Sequence, residues 1–371
     1  MPHPKPVLAV FASFSGSGGV ERMLVNLIRG LVDLGQPVEL LLVRAEGPHL
    51  ERLPPEVRQI RLGVDHTQLA IPALARYLRR RRPAALLAAK DRAGRAAVIA
   101  RALAGTDTRL VLRLGTHLST AMAERGALAR WLRYAPIRVL YPRLDGIVAV
   151  SEGVAADTAR IARLEPARIG VIRNPVITPE LAEQAAAPCP HPWLADAAPP
   201  VILGAGRLQR QKDFPTLLRA FARVHAERPE CRLMILGEGG GRARLERLAR
   251  ELGIGAAVAL PGFQHNPYAF IARARQFVLS SAWEGSPNVL TEALALGVPS
   301  VATDCPSGPR ELLDGGRYGP LVAVGDDQAL ARAMTATLDA PLPPATLRRA
   351  VAAYRQERSA AHYLEVLGLA G

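Results

Sequence analysis

Lysine is the scarcest charged residue in this chain. Lys5, Lys90 and Lys212 are the only three among 371 residues, although lysine and arginine together number 47. With so much alanine, the skew reflects GC-rich coding, so the number of arginines alone says little about a partner. Cysteine is equally rare. Cys189, Cys231 and Cys305 lie far apart, which excludes a disulfide framework and a metal-spaced pair. No apolar run approaches the roughly 18 residues of a membrane span. The opening MPHPKPVLAVF has no basic stretch before its apolar residues and no clear cleavage site, so no signal peptide is expected. These absences make a cytoplasmic protein the expectation. The dinucleotide fingerprint G-x-G-x-x-G is missing, which disfavours a dehydrogenase. Metal-binding clusters such as D-x-D are missing too, so neither a metal nor another cofactor is expected.

What is present reads as globular. Hydrophobic residues make up 49% and charged residues 22%, which excludes wholesale disorder. The length suggests two domains with separate cores. The net charge of +14 is unevenly spread: residues 1–175 carry 27 Lys and Arg against 14 Asp and Glu, whereas residues 176–371 carry 20 against 19. A basic first half points to an anionic partner, either nucleic acid or an anionic membrane surface. It has no RNP-like or helix-turn-helix signature, so nucleic acid is not expected.

Apolar runs at 7–13, 38–43, 85–89, 109–114 and 146–150 read as strands, separated by helical patterns such as 20–34. This βαβα alternation predicts a doubly wound, mainly parallel sheet. Residues 175–200, rich in proline, read as a linker with one short helical piece. The alternation then restarts, with strands at 201–204, 232–236, 257–260, 277–280 and 299–302 and helices at 214–228, 242–252 and 287–296. The expected architecture is two Rossmann-like domains in tandem, facing across a cleft, with ligands at the strand ends. The expected division is 1–174, the linker, 201–355, and a last helix over 356–371.

Three loops carry candidate chemistry. Ser15-Gly16-Ser17-Gly18-Gly19-Val20-Glu21 joins the first strand to the first helix, and its glycines allow a ligand close to the backbone. Gly204-Ala205-Gly206-Arg207, running on to Lys212, follows the first strand of the second half. Arg207 and Lys212 offer two cations at a sheet edge, suited to a diphosphate. A lysine kept where arginine dominates suggests that a compact ammonium is required. The third loop is Glu284-Gly285-Ser286-Pro287-Asn288-Val289-Leu290-Thr291-Glu292. Ser286 reads as an N-cap and Pro287 as the first helical residue, so the positive helix end would seat a phosphate. Glu284 and Glu292, on either side of that seat, can accept hydrogen bonds from sugar hydroxyls, the arrangement a nucleotide-sugar requires.

At these residues the sequence resembles the retaining glycosyltransferase family 4, of GT-B architecture. The resemblance spans nearly the whole chain, through GGVERMLVNLIRGLVDLG, VSEGV, IRNPV, GAGRLQRQKDFPTLLRAFA, ILGEGGGRARLERLARELG and EGSPNVLTEALALGVPSVATDCPSGPRELL. Glu284-x7-Glu292 is similar to the family's E-x7-E signature. The resemblance implies that Arg207 and Lys212 hold the donor diphosphate and stabilise the leaving group. It implies that Glu284 lies near the donor sugar and Glu292 near the ribose. Gly206 belongs to the basic loop. Gly285, Ser286, Pro287, Asn288 and Val289 would approach sugar and phosphates, Gly262 and Phe263 the base, and Gly18 and Gly19 the phosphates and sugar. His117 would face the reacting sugar, as a catalytic or a structural group. The last helix would cross back to the first domain.

The implied reaction moves a sugar from a nucleotide-sugar to an acceptor. A UDP-hexose or UDP-N-acetylhexosamine is the first expectation; a GDP-sugar donor, as for a mannosyltransferase, stays open, as does a same-fold UDP-sugar epimerase. On the acceptor side, Arg125, Arg130, Arg133, Arg138 and Arg143 alternate with Leu128, Trp131, Leu132, Tyr134, Leu140 and Tyr141. That mixture suits an interfacial helix on anionic lipid. A second basic run spans residues 77–82. The expectation is a glycan or lipid-linked acceptor in cell-surface polysaccharide or glycolipid assembly, and peripheral contact with the inner face of the cytoplasmic membrane.

Overall fold

The computed structural model describes residues 5–16, 18–195 and 199–370. Ser17 of the first glycine loop, residues 196–198 of the expected linker and Gly371 therefore lie outside the described residues. The chain divides into two compact units, one drawn from Met1–Val176 and Tyr354–Gly371, the other from Ile177–Ala353.

The first unit runs β1 Leu8–Ser15, α1 Gly19–Asp33, β2 Val38–Glu46, β3 Arg58–Arg61, α2 Ile71–Arg81, β4 Ala85–Ala89 and α3 Asp91–Ala104. It continues with β5 Arg109–Leu114, α4 Leu118–Ala121, α5 Ala127–Leu140, β6 Gly146–Ala149, α6 Glu152–Ala162 and β7 Ile169–Val171. The seven strands form one parallel sheet in the order β3-β2-β1-β4-β5-β6-β7. All five residues of β4 are buried, as a parallel sheet covered on both faces demands. The edge strands β3 and β7 escape the sequence pattern: Arg58-Gln59-Ile60-Arg61 is mostly exposed and polar, and β7 has three residues.

The C-terminal helix, Gln356–Leu367, belongs to this unit. Ala360, Tyr363 and Leu367 join the core beneath α1. The close approach depends on Gly30 of α1, where a Cβ would stand 2.9 Å from Gln356 Cγ and 3.0 Å from Ala360 Cβ. Ser359 Oγ donates to the Arg173 carbonyl at 2.8 Å.

The second unit runs α7 Leu181–Ala186, β8 Val201–Ala205, α8 Phe214–Glu227, β9 Arg232–Leu236, α9 Arg242–Glu251, β10 Val258–Gly262, α10 Tyr268–Ile271 and β11 Gln276–Leu279. Then follow α11 Asn288–Ala295, β12 Ser300–Thr303, α12 Pro309–Leu312, β13 Leu321–Val322, α13 Asp327–Asp339 and α14 Pro344–Ala350. Its six parallel strands are ordered β10-β9-β8-β11-β12-β13. Both sheets thus have the doubly wound order, reversing between β1 and β4 in one and between β8 and β11 in the other.

The expected linker needs correction. Residues 177–195 are a packed part of the second unit. Leu181 and Ala185, one turn apart on α7, cluster with Tyr268. Asn266 Nδ2 donates to the Gln184 carbonyl at 2.7 Å and Arg273 Nη1 to the Ala185 carbonyl at 3.1 Å. These bonds satisfy the open end of a helix that its proline-rich surroundings made look like a connector.

Candidate functional site

The loops leaving two strands at a switch point diverge and open a crevice at the carboxyl edge of the sheet. In the second unit those strands are β8 and β11, and each leads into one of the loops singled out in the sequence. After β8 the chain turns at Gly206, with φ +154°. A Cβ there would lie 2.7 Å from Lys212 Cε, so the aliphatic stem of Lys212 occupies the space a side chain would need. Lys212 closes a short 3-10 turn, Arg210–Lys212.

From there Lys212 Nζ donates to Glu284 Oε1 at 2.6 Å, and Ser281 Oγ donates to the same oxygen at 2.7 Å. Three further bonds clasp the loops: Ser280 Oγ to the Lys212 carbonyl at 2.8 Å, Gln211 Nε2 to the Trp283 carbonyl at 3.0 Å, and Ala282 N to the Gln211 carbonyl at 2.8 Å. Two residues 72 positions apart are thereby held as an ion pair whose side chains are only 16% and 8% exposed. Removing one partner of so sheltered a pair costs on the order of 3–5 kcal/mol. An ammonium has three N–H groups, so two remain for a ligand. Glu284 Oε2 accepts no hydrogen bond among the described residues.

Arg207 stands apart. It is exposed, and its guanidinium forms no ion pair among the described residues. Glu292 is buried in α11. Gly262 ends β10 with φ +86° and accepts from Gly237 N at 2.8 Å. Phe263 beside it is partly exposed, edge-on to His265 at 5.2 Å.

The reading of Ser286 as an N-cap is overturned. α11 begins at Asn288, and Pro287 is the cap residue, with a non-helical ψ of 89°. Leu290 N and Thr291 N both donate to its carbonyl. The cause lies in the loop after β12. Ser307 Oγ donates to the Gly285 carbonyl at 2.9 Å, and a Cβ on Gly308 would stand 2.6 Å from Pro287 Cδ. This neighbour packs against residues 285–287, where the chain bends at Gly285 and Ser286 before the helix. Among the described residues Ser286 Oγ is buried without a hydrogen-bond partner, and the first turn of α11 has no side-chain cap. Gly285, Asn288 and Val289 line the same approach to the helix start.

Two residues of this site were not selected from the sequence. Ser281 anchors Glu284, and its signal was a polar pair, Ser280-Ser281, directly after an apolar strand. Cys305 is buried nearby. Burial pushes its thiol up to about 12, with the Glu284 charge adding and Lys212 opposing.

The remaining candidates lie in the first unit. Gly18 caps α1 and Gly19 opens it. A Cβ on Gly18 would meet Glu21 Oε2 at 2.5 Å, and Glu21 in turn faces Lys90 Nζ at 3.5 Å. His117 caps α4. Its Nδ1 lies 2.8 Å from Thr120 Oγ1 and 3.7 Å from Asp157 Oδ2, so one ring nitrogen is committed to the local fold. The basic stretches also divide. Arg133 pairs with Asp91 at 2.7 Å and Arg138 donates to the Ile161 carbonyl at 3.1 Å, whereas Arg125 and Arg130 are exposed without an ion pair among the described residues. In the run over 77–82, Tyr77 and Arg81 are bonded to Glu39.

Two family models match the chain in succession: Glycosyltransferase Family 4 over residues 17–179 and Glycosyl transferases group 1 over residues 191–358. The chain belongs to the family 4 glycosyltransferases, transferase enzymes of GT-B fold. Among its relatives is the N-acetylgalactosamine-N,N'-diacetylbacillosaminyl-diphospho-undecaprenol 4-alpha-N-acetylgalactosaminyltransferase of Campylobacter jejuni, 31% identical over 63% of this chain and 62% of the relative. Another is the lipopolysaccharide core biosynthesis glycosyltransferase LpsE of Rhizobium meliloti, 38% identical over 38% of this chain and 39% of the relative. The chain thus spans less than two thirds of the curated relatives it matches. The crystal structure of Anabaena Alr3699/HepE in complex with UDP and glucose has the same fold, with a TM-score of 0.73 at 18% identity over 98% of this chain and 97% of that one.

Proposed function

We propose that this protein transfers a sugar, with retention of configuration, from a UDP-hexose or UDP-N-acetylhexosamine to a glycan or lipid-linked acceptor in cell-surface polysaccharide or glycolipid assembly. The observation that carries the reading is the Lys212–Glu284 pair at the switch point of the second sheet, beside the uncapped start of α11. In this reading two N–H groups of Lys212, with Arg207, bind the donor diphosphate and neutralise the charge that grows on it as the glycosidic bond breaks. The start of α11 contributes backbone dipoles to the same charge, so no metal is required. Glu284 fixes the ammonium through Oε1 and offers Oε2 to a hydroxyl of the donor sugar. Glu292 serves the ribose, Gly262 and Phe263 the base, and Gly18, Gly19 and His117 act from the first unit.

The relatives support the chemistry of the partners. One is named for a diphospho-undecaprenol acceptor and one for lipopolysaccharide core biosynthesis. Contact with an anionic membrane through α5 is part of the proposal.

The test is a hydrolysis and transfer screen across UDP- and GDP-sugars. UDP-sugars should be turned over, with the product anomer matching the donor. Lys212→Ala and Glu284→Ala should each lower kcat by at least about a hundredfold, the scale of losing one preorganised charge contact. An active double variant, or an inverted product, would refute the site or the stereochemistry respectively.

A further inference from the structure

The first unit contains a cavity of about 400 Å³ at the carboxyl edge of its own sheet. It opens where β1, β4 and β5 end and the strand order reverses. Four cations line it, Lys90, Arg92, Arg113 and Arg133, against one carboxylate, Asp91. Asp91 is already shared by Arg133 at 2.7 Å, Arg95 at 3.0 Å and the Tyr141 hydroxyl at 2.9 Å. Lys90 faces Glu21 at 3.5 Å. Arg92 and Arg113 are left without a carboxylate among the described residues.

Arg113 is the more telling of the two, being only 3% exposed. Its Nη2 donates to Asn174 Oδ1 at 2.8 Å, while its Nε is buried with no hydrogen-bond partner among the described residues. Burying a guanidinium without a counter-charge is costly, and the burial weakens its hold on its proton, with Tyr363 acting in the opposite sense. Gly115 makes room for it, because a Cβ there would come 2.7 Å from Nη1. The rest of the wall is largely apolar, including Val43, Leu114, Leu118, Ile137 and Ile161.

We propose that this cavity seats a phosphoryl group of an acceptor whose adjoining portion is apolar, with Arg92 and Arg113 supplying the counter-charge. A diphosphate that joins a lipid to a sugar carries one negative charge on each phosphorus, which together balance two guanidinium groups, and guanidinium matches phosphate oxygens in pairs. The inference rests on the proposed lipid-linked acceptor and adds the residues that hold the charged junction of such a molecule. His117 is not among the cavity's lining residues, so this seat and the sugar-facing role expected of His117 are separate assignments.

The test uses the whole chain without any donor, titrated with geranyl diphosphate, inorganic pyrophosphate and geraniol. Geranyl diphosphate should bind at least about tenfold more tightly than pyrophosphate, and geraniol should not raise Tm. Arg92→Gln, on the exposed side of the cavity, should weaken geranyl diphosphate about tenfold, the size of one charged hydrogen bond. Thr116→Trp, at the exposed rim, should block it. Arg113→Gln should abolish binding; because Arg113 is buried and this variant can unfold, the two exposed substitutions carry the decision. Equal affinity in wild type, Arg92→Gln and Thr116→Trp overturns the inference. So does pyrophosphate binding as tightly as geranyl diphosphate, which would make the seat one for free phosphate. A chain that hydrolyses UDP-sugars yet ignores geranyl diphosphate loses this inference alone. One that binds geranyl diphosphate in the cavity but turns over no nucleotide-sugar loses the transferase reading alone.

Discussion

Lys212 shows how a single side chain can be specified from several directions at once. Its stem lies over Gly206, its carbonyl receives Ser280, and its ammonium meets Glu284. An ammonium is a compact point charge on a flexible stem, which suits this single 2.6 Å contact better than a planar guanidinium fork does. The choice of lysine was legible because lysine is so rare here, and Glu284 was legible from its loop. Their mutual contact was not, since nothing local links positions 72 residues apart. For the same reason Ser281, Cys305 and Arg113 were passed over: a serine at a strand end, a lone cysteine and one arginine among 44 acquire meaning only from their neighbours. Cys305 yields a prediction at this scale. Its thiol is raised from 9.0 to about 12, so it stays protonated and unreactive through neutral pH. Alkylation of the folded protein at pH 8 should modify the half-buried Cys189 and spare Cys305. Because the folded value lies above the unfolded one, the contribution to stability is intact below about pH 9. It is lost as pH rises towards 12, which urea titrations across that range would detect.

At the scale of elements, the core strands were readable because parallel strands buried on both faces must be continuously apolar. The edges were not, since β3 is polar and β13 has two residues. The start of α11 was misplaced because its capping depends on a loop that arrives from β12. α5 presents the clearest element-level expectation. Leu128, Trp131, Leu132 and Val139 are all more than half exposed on it, spaced so that they share one face, while Tyr134, Ile137 and Leu140 pack inward. An exposed apolar stripe near the exposed Arg125, which has no ion pair among the described residues, suits an anionic bilayer. Trp131→Ser with Leu132→Ser should reduce binding to phosphatidylglycerol-containing vesicles at least tenfold while leaving Tm nearly unchanged, because the replaced side chains bury little in the fold. Arg125→Gln should cost about 1 kcal/mol of that binding at low salt, whereas Arg130→Gln, on the opposite side of the helix, should cost less. Vesicle co-sedimentation with unaltered affinity in both sets would remove α5 from the membrane proposal.

At the scale of the whole molecule, the two-sheet plan and the last helix's approximate extent were visible in the alternation of patterns, while the fate of residues 177–195 was not, because composition mimics a linker where packing makes a structural element. The C-terminal helix also has an energetic role. Tyr363 and Leu367, each 1% exposed, complete the core of the first unit. Burial of large apolar side chains is worth about 1.5–3 kcal/mol each. Ending the chain after Ala353 should therefore abolish or sharply lower the melting transition of the first unit and leave that of the second, in a calorimetric scan that resolves the two.

The division of the chain at Val176 and Tyr354, where Val176 N donates to the Tyr354 carbonyl at 3.0 Å, has a consequence for biosynthesis. The second unit is an excursion inserted into the first, so the ribosome must translate all of it before the helix that finishes the first unit exists. During synthesis the basic, seven-stranded half waits with the floor of α1 uncovered while its neighbour can already fold. The unit made first is thus the last to be finished, and the interval in which its apolar surface is open to aggregation or to chaperones is set by the time needed to translate residues 177–367.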